Sequence, residues 1–388
     1  MIQETQRTSF DYATRQSGTR RVCHLTTVHP RHDTRILLKE CRTLAKAGYD
    51  VHLIVGDGQG DTVIDRIHIH DIGAKPDSRI KRMCIQPKRA LEKILALRPD
   101  IVHFHDPELI PVGLLLRIQG KVVFYDIHED VPQTILSKDY IPNLLRKPIA
   151  WLIERVENLA CRWFSALMPA TPAIAKRFTT LNPNNVVVQN FPLLEEMVPA
   201  IEIAWNQRSC SVAYVGGIAI NRGIREMVEA MGFLPARLNA RLKLAGNFSP
   251  VSDRDEVVRL PGWNRTEELG FLDRSKIAGL LGSVRGGVVL FHPLPNHIAA
   301  QPNKLFEYMS AGIPVIASDF PLWRQIIESA GCGLLVNPLD PKAIARSIEY
   351  VLTHPKEAED MGRRGREAVE KCYNWENESR KLLTLYTF

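Results

Sequence analysis

The sequence predicts an α/β protein built from two doubly wound domains that face each other across a cleft. Three observations predict it. Short β-branched runs alternate with helical stretches, and the alternation pauses near residue 195 and then restarts. In the second half, glycine turns follow the strands, where open α/β sheets bind ligands. At 388 residues the chain has room for two domains of ordinary size.

Residues 1–19 are polar, lack the apolar stretch of a secretory signal, and read as a disordered leader. RRVCHLTTV (20–28) predicts the first strand, and TRILLKECRTLAKAG (34–48) predicts a helix ending at Gly48. Strands follow at DVHLIVG (50–56), IVHFHD (101–106) and KVVFYDIHED (121–130). A long helix over 144–166 leads to a short strand around Ala166–Pro169, then to NVVVQNF (185–191) and a linker, PLLEEMVPAIE. The rhythm resumes with SVAYVGG (211–217), a helix over 222–232, ARLKLAG (240–246) and a helix over 274–282. GGVVLFHP (286–293), a helix opened by Pro302-Asn303, IPVIASD (313–319) and GCGLLVNP (331–338) complete it. The expected domains are 20–195 and 196–372, with 373–388 a terminal helix packing back on the first.

Composition narrows the class. The chain is 45% hydrophobic and 24% charged, as soluble globular proteins are. The apolar run Ile110 to Leu116 stops at Arg117, too short to span a bilayer. Seven scattered cysteines without a C-x-x-C pair argue against a disulfide framework or zinc knuckle and for a reducing cytoplasm. The net charge of +7 is uneven: residues 1–195 hold 27 basic and 21 acidic residues, residues 196–388 hold 23 and 22. The excess gathers in 79–93 and in LLRKPIAWLIERVENLACRWF (144–164). With Trp151 and Trp163, the latter reads either as a surface for anionic lipid or as a solvated helix whose tryptophans are in the core. No helix-turn-helix, zinc finger or RNP-like run points to nucleic acid.

Three strand-end loops carry chemistry. In YVGGIAINRGI (214–224), backbone at Gly216 and Gly217 can approach a pyrophosphate that Arg222 neutralises. LAGNFSP (244–250) turns at Gly246. In QPNKLFEYMSAGIPVIASD (301–319) a helix start offers unpaired N–H groups, Lys304 adds a cation, and Glu307 follows one turn along. Glycine turns are common singly; three in this order are more specific.

On these motifs the second half resembles the donor-binding domain of GT-B glycosyltransferases, specifically the retaining family 4 (group 1) enzymes. VHPRHDTRILLKECRTLAKAGYDVHLI, HFHDPELIPVG and VVFYDIHEDVP resemble a subset that builds bacterial surface polysaccharides. The resemblance spans roughly residues 20–385 and implies two Rossmann-like domains, acceptor-binding then donor-binding. It gives Glu307 the donor ribose hydroxyls, each charge-assisted hydrogen bond worth roughly 1.5–3 kcal/mol. Asn303 and Lys304, flanked by Pro302 and Leu305, would face the diphosphate with Arg222, and the base would sit beside Phe271 or Leu272. His128 matches an acceptor-side histidine that reaches the donor sugar, although it could instead cap a strand end against Asp126 or Asp130. His32, Asp33, Arg35, His105 and Asp106 are the acceptor-side candidates.

Two positions depart from the family. Ala299 stands where the first motif glutamate is expected, making the loop Asn296-His297-Ile298 its candidate replacement. Gly217 stands where an arginine usually follows the first glycine. His103, His105 and Asp106 lack a further ligand at defined spacing, so no metal site is expected. DRD (253–255), in a charged loop, and VGDGQGD (55–61), which breaks the dinucleotide fingerprint, read as chance matches. The resemblance implies metal-independent transfer, with no cofactor, from a UDP- or GDP-sugar to a hydroxyl on a lipid-linked or growing glycan, in exopolysaccharide, capsule or O-antigen synthesis. A cytoplasmic location, with peripheral contact to an anionic membrane, fits that role. An epimerase of the same fold, or a non-catalytic nucleotide-sugar-binding subunit suggested by Ala299, remain alternatives.

Overall fold

The computed structural model describes residues 19–136 and 141–387, leaving aside the side chains of residues 79 and 80. The leader expected over 1–19 lies, except for residue 19, outside the described residues. The first sheet contains β1 (Arg21–Leu25), β2 (Asp50–Val55), β3 (Thr62–Ile64), β4 (Ile67–Asp71), β5 (Ile101–Phe104), β6 (Val122–Ile127) and β7 (Ala166–Pro169). Their order is β3-β4-β2-β1-β5-β6-β7, with β3 antiparallel to β4 and the other neighbours parallel.

The second sheet contains β8 (Ser211–Val215), β9 (Arg241–Ala245), β10 (Thr266–Gly270), β11 (Gly286–Val289), β12 (Val315–Ser318) and β13 (Gly333–Val336). It is parallel throughout, in the order β10-β9-β8-β11-β12-β13. Helices cover both faces, so β8 and β12 are buried at every residue and read as continuous apolar runs. Each sheet reverses its strand order once, between β1 and β5 and between β8 and β11. The crevice at such a reversal is where these sheets hold ligands.

Several elements differ from expectation for identifiable reasons. β1 stops at Leu25 because Thr26 Oγ1 and the Thr27 N–H turn to donate to Asp106 Oδ2, at 2.9 and 2.6 Å. The helix expected over 34–48 winds as a π-helix across Ile36–Cys41 and as an α-helix across Arg42–Lys46. This widened turn buries Lys39 and Glu40. Residues 185–191 contribute a single bridge, Asn185 to Leu167, and no strand. DRD lies in the helix Ser252–Val257, not in a loop, and Asp253 there accepts from the Ile220 N–H at 2.8 Å.

The final helix, Trp375–Leu385, returns to the first domain. Trp375, Leu382, Leu385 and Tyr386 join Val22, Val51 and Phe124 in one buried cluster. Trp375 Nε1 donates to Thr43 Oγ1 at 2.9 Å, and Tyr49 Oη donates to the Tyr386 carbonyl at 3.0 Å. Among the described residues no helix is long and apolar enough to cross a membrane.

Candidate active site

The ends of β8, β9 and β11 are drawn together by two glycines. Gly223, at φ +79°, opens the helix Ile224–Phe233, and a Cβ there would lie 1.9 Å from the Leu290 carbonyl oxygen. Gly246, at φ +154°, packs so closely that a Cβ would meet the Gly216 carbonyl oxygen at 2.0 Å. Arg222, just before Gly223, donates from Nη1 to the Gly217 carbonyl at 3.2 Å.

Lys304 enters the same space from the helix Asn303–Ser310, which starts without a side-chain cap. Its Nζ lies 3.4 Å from the place a Cβ on Gly216 would occupy, and 5.1 and 5.0 Å from the centres of the Tyr214 and Phe291 rings. Desolvation, with Arg222 alongside, lowers the Lys304 ammonium to about 8, and Glu307 only partly opposes this. Two cations and a helix N-terminus thus converge with no carboxylate bonded to Lys304 among the described contacts. Such a place attracts an anion.

Glu307 lies one turn deeper and is 8% exposed. Its Oε1 accepts from Arg274 Nη1 at 2.8 Å, while Arg274 Nε and Nη2 grip Glu196 Oε1 at 2.6 and 2.5 Å. Lys39, from the first domain, donates to Asn190 Oδ1 at 2.7 Å. Burial lowers Lys39 to about 8, against the pull of Glu196 and Glu307.

In the first domain the central group is Asp126, fully buried at the end of β6. Burial alone would raise its carboxyl; Arg35, His128 and His105 instead hold it well below the usual range. Arg35 grips it bidentately, Nε to Oδ2 at 2.8 Å and Nη2 to Oδ1 at 2.7 Å. Burial lowers the pKa of His24, His103 and His105 and so favours their neutral forms, for which this carboxylate sets the sense of a relay. His105 Nδ1–H donates to Asp126 at 3.0 Å; His105 Nε2 therefore accepts from His24 Nδ1–H, also at 3.0 Å. His24 Nε2 then accepts from Tyr386 Oη at 3.3 Å, and Tyr386 Oη accepts from His103 Nδ1–H at 2.6 Å. His128 Nε2–H donates to Asp126 at 2.8 Å, which leaves His128 Nδ1 on the side of the ring away from that carboxylate.

Glu40, His103, His105 and Asp126 present ligand atoms within 4.8 Å of one another. Arg35 already lies 3.0 Å from Glu40 and 2.7 Å from Asp126, so a guanidinium supplies the positive charge between these carboxyls. Burial and the Asp126 charge push Glu40 well above the ordinary carboxyl range.

Two cavities adjoin these groups. One, of about 730 Å³, is lined by Gly216, Gly217, Gly246, Lys304, Glu307 and Arg274, and by Phe271, Leu272 and Pro302. The other, of about 650 Å³, lies between the domains, with Arg35, His128, Gln133 and Thr134 on one side and Asn296, His297 and Ala299 on the other. Arg222, Phe291, Gln301 and Asn303 line both, so the two spaces are contiguous.

A family model for glycosyl transferases group 1 matches residues 202–368, and one for Glycosyltransferase Family 4 matches residues 34–191. The chain belongs to these glycosyltransferases. It is 21% identical over 386 residues to CapM, a capsular polysaccharide biosynthesis glycosyltransferase of Staphylococcus aureus, covering 94% of this chain and 96% of CapM. Sucrose-phosphate synthase from Thermosynechococcus elongatus superposes with a TM-score of 0.77 at 17% identity, over 95% of this chain and 98% of that one. Anabaena HepE, solved in complex with UDP-glucose, superposes with a TM-score of 0.70 at 15% identity, over 95% and 100%. The fold is therefore GT-B, two Rossmann-like domains.

Within the glycosyltransferase the sequence candidates divide. Gly216, Gly217, Gly246, Phe271, Leu272, Pro302, Asn303, Lys304 and Glu307 line the larger cavity, with Arg222 at the junction. Leu305 does not; it is 0% exposed in the hydrophobic core. Asn296 and His297 line the interdomain cavity. Asn296 Oδ1 is buried without a partner among the described residues, and His297 Nδ1–H donates to the His292 carbonyl at 3.1 Å.

On the other side Arg35 and His128 reach the cleft cavity, while His32, Asp33, His105 and Asp106 line neither space. His105 and Asp106 are each 2% exposed because hydrogen bonds turn them inward. Asp33 instead caps the widened helix, accepting from the Arg35 and Ile36 N–H groups at 2.8 and 3.0 Å. Sequence reasoning missed Arg274, Gln301, Gln133 and Thr134. Arg274 had a usable signal: Asp273 accepts from the Lys276 N–H at 2.9 Å, and LDRSK marks a helix start at a strand end.

Proposed function

We propose that this glycosyltransferase moves a sugar from a UDP- or GDP-sugar to a hydroxyl of a lipid-linked or growing glycan, retaining anomeric configuration and needing no metal ion. One observation carries the reading: contiguous cavities meet at Arg222 and Asn303, beside the desolvated Lys304. The nucleoside occupies the larger cavity, its base by Phe271 and Leu272 and its ribose at Glu307. The diphosphate lies at Lys304, Arg222 and the helix start, which stabilise its charge as it departs and take the part of a metal. The sugar extends into the interdomain cavity, where Asn296 Oδ1 and His297 meet the hydroxyls that a carboxylate at 299 would have held. His128 Nδ1 accepts from a sugar hydroxyl, and domain closure excludes water. HepE, of the same fold, is solved with UDP-glucose, which supports this donor class.

The acceptor reading has its own support. Along the helix Asn143–Cys161, Leu144, Trp151 and Leu159 are 86, 58 and 61% exposed, and Trp163 beyond it 64%. The tryptophans therefore lie on the surface, not in the core. Lys147, Arg155 and Arg162 share that arc, whereas Glu157 turns inward to Arg177. We propose that this face rests on the anionic inner surface of the plasma membrane, where a lipid-linked acceptor would be met.

Thermal stabilisation by UDP, GDP and their sugars, followed by transfer and hydrolysis assays in EDTA with NMR of the product anomer, tests the proposal. One nucleotide series should raise the melting temperature and turn over in EDTA with a retained anomer. No stabilisation by any nucleotide overturns the donor reading; stabilisation without transfer or hydrolysis favours a binding subunit; an inverted anomer removes retention.

A further inference from the structure

Four charges of alternating sign run from the first domain to the donor cavity: Lys39, Glu196, Arg274 and Glu307. Lys39 belongs to the widened helix, Glu196 to the segment crossing between the sheets, and Arg274 to the first turn of Arg274–Ser283. Arg274 is the link that holds two carboxylates at once. Its Nε and Nη2 hold Glu196 Oε1 at 2.6 and 2.5 Å, and its Nη1 holds Glu307 Oε1 at 2.8 Å. Glu307 Oε2 takes no hydrogen bond among the described residues, and both Glu307 and Arg274 line the larger cavity.

We infer that Arg274 is the positioning residue for ribose recognition. It occupies one oxygen of Glu307, fixes the carboxylate plane, and leaves the other oxygen as the acceptor for a ribose hydroxyl. A freely rotating carboxylate would lose side-chain entropy on meeting the sugar; one already clamped does not. The clamp is anchored outside the donor helix, at Glu196, so the carboxylate's orientation is set by the interdomain crossing as well as by its own helix. Arg274 does not itself need to touch the ligand, and a lysine could not hold both carboxylates in this geometry, because it lacks the planar fork.

The inference rests on the ribose assignment of Glu307, and the test separates the two. Affinities of UDP, GDP and their 2′-deoxy counterparts are measured by calorimetry for wild type, Glu307→Ala, Arg274→Gln and Arg274→Lys, with melting temperatures recorded. Wild type should prefer the ribonucleotide by about tenfold or more, the worth of one hydrogen bond to a charged group. Glu307→Ala and Arg274→Gln should each bring that ratio close to one, with Arg274→Lys in between. A ratio unchanged in both arginine variants but lost in Glu307→Ala overturns the role of Arg274 and keeps the ribose assignment. A ratio unchanged in Glu307→Ala overturns both. Should Arg274→Gln fail to fold, the ratio in Arg274→Lys decides alone: a wild-type value overturns the inference, a reduced one supports it.

Discussion

Lys304 gives the proposed donor site a pH signature. A lysine held near 8 is part neutral at ordinary assay pH, and only its charged form attracts a diphosphate. Binding raises its pKa, so protons are taken up on binding. Affinity for UDP or GDP should be level below about pH 8 and fall above it, by up to about tenfold per unit, until the bound-state pKa is reached. Calorimetry at pH 8 in buffers of different ionisation enthalpy should show net proton uptake in wild type and markedly less in Lys304→Met. His128 and Asp126 should separate in another way. His128→Ala should leave the melting temperature near wild type and depress kcat. Asp126→Asn should destabilise the fold by about 3–5 kcal/mol, because Arg35, the buried His105 and the half-buried His128 lose their anion. The sequence made His128 and Lys304 visible, since each follows a strand or opens a helix. It could not reveal Asp126 as the anchor, because Arg35 and His105 reach it from 91 and 21 residues away along the chain.

At the scale of elements, the apolar and basic arc on Asn143–Cys161 predicts binding to vesicles containing phosphatidylglycerol that fades as salt rises. Replacing Trp151 and Trp163 together by serine should weaken sedimentation with such vesicles by about tenfold or more. The melting temperature should barely move, since both rings already face solvent. Salt-insensitive binding, or none, removes the membrane assignment. The strands β1, β2, β5, β6, β8, β11 and β12 were legible because burial on both faces makes them near-continuous apolar runs, and β9, RLKLA, because its leucines alternate with charged residues. β10, TEELG, was not, because it is a polar edge strand with three exposed residues. The hairpin of β3 and β4 was hidden in the same way by its histidines and exposed threonine and valine.

For the whole molecule, the first domain is discontinuous: residues beyond the second sheet supply part of its core. A chain ending at Cys372 removes Trp375, Leu382, Leu385 and Tyr386 from that core. Losing four large buried side chains should unfold the first domain while leaving the second able to melt by itself, and calorimetry should then show one transition in place of two or a merged one. The sequence analysis expects a terminal helix over 373–388 against the first domain, although a stripe of Trp and Leu by itself fits either one. The return of the helix also orders events during synthesis. The second sheet and its helices are complete once residue 371 has left the ribosome, whereas the first domain waits for residue 386. Although it is translated first, it is the last to close, and the histidine relay behind His128 gains its tyrosine only at that moment. A chain cut before residue 375 would therefore present a folded second domain tethered to an unfinished partner.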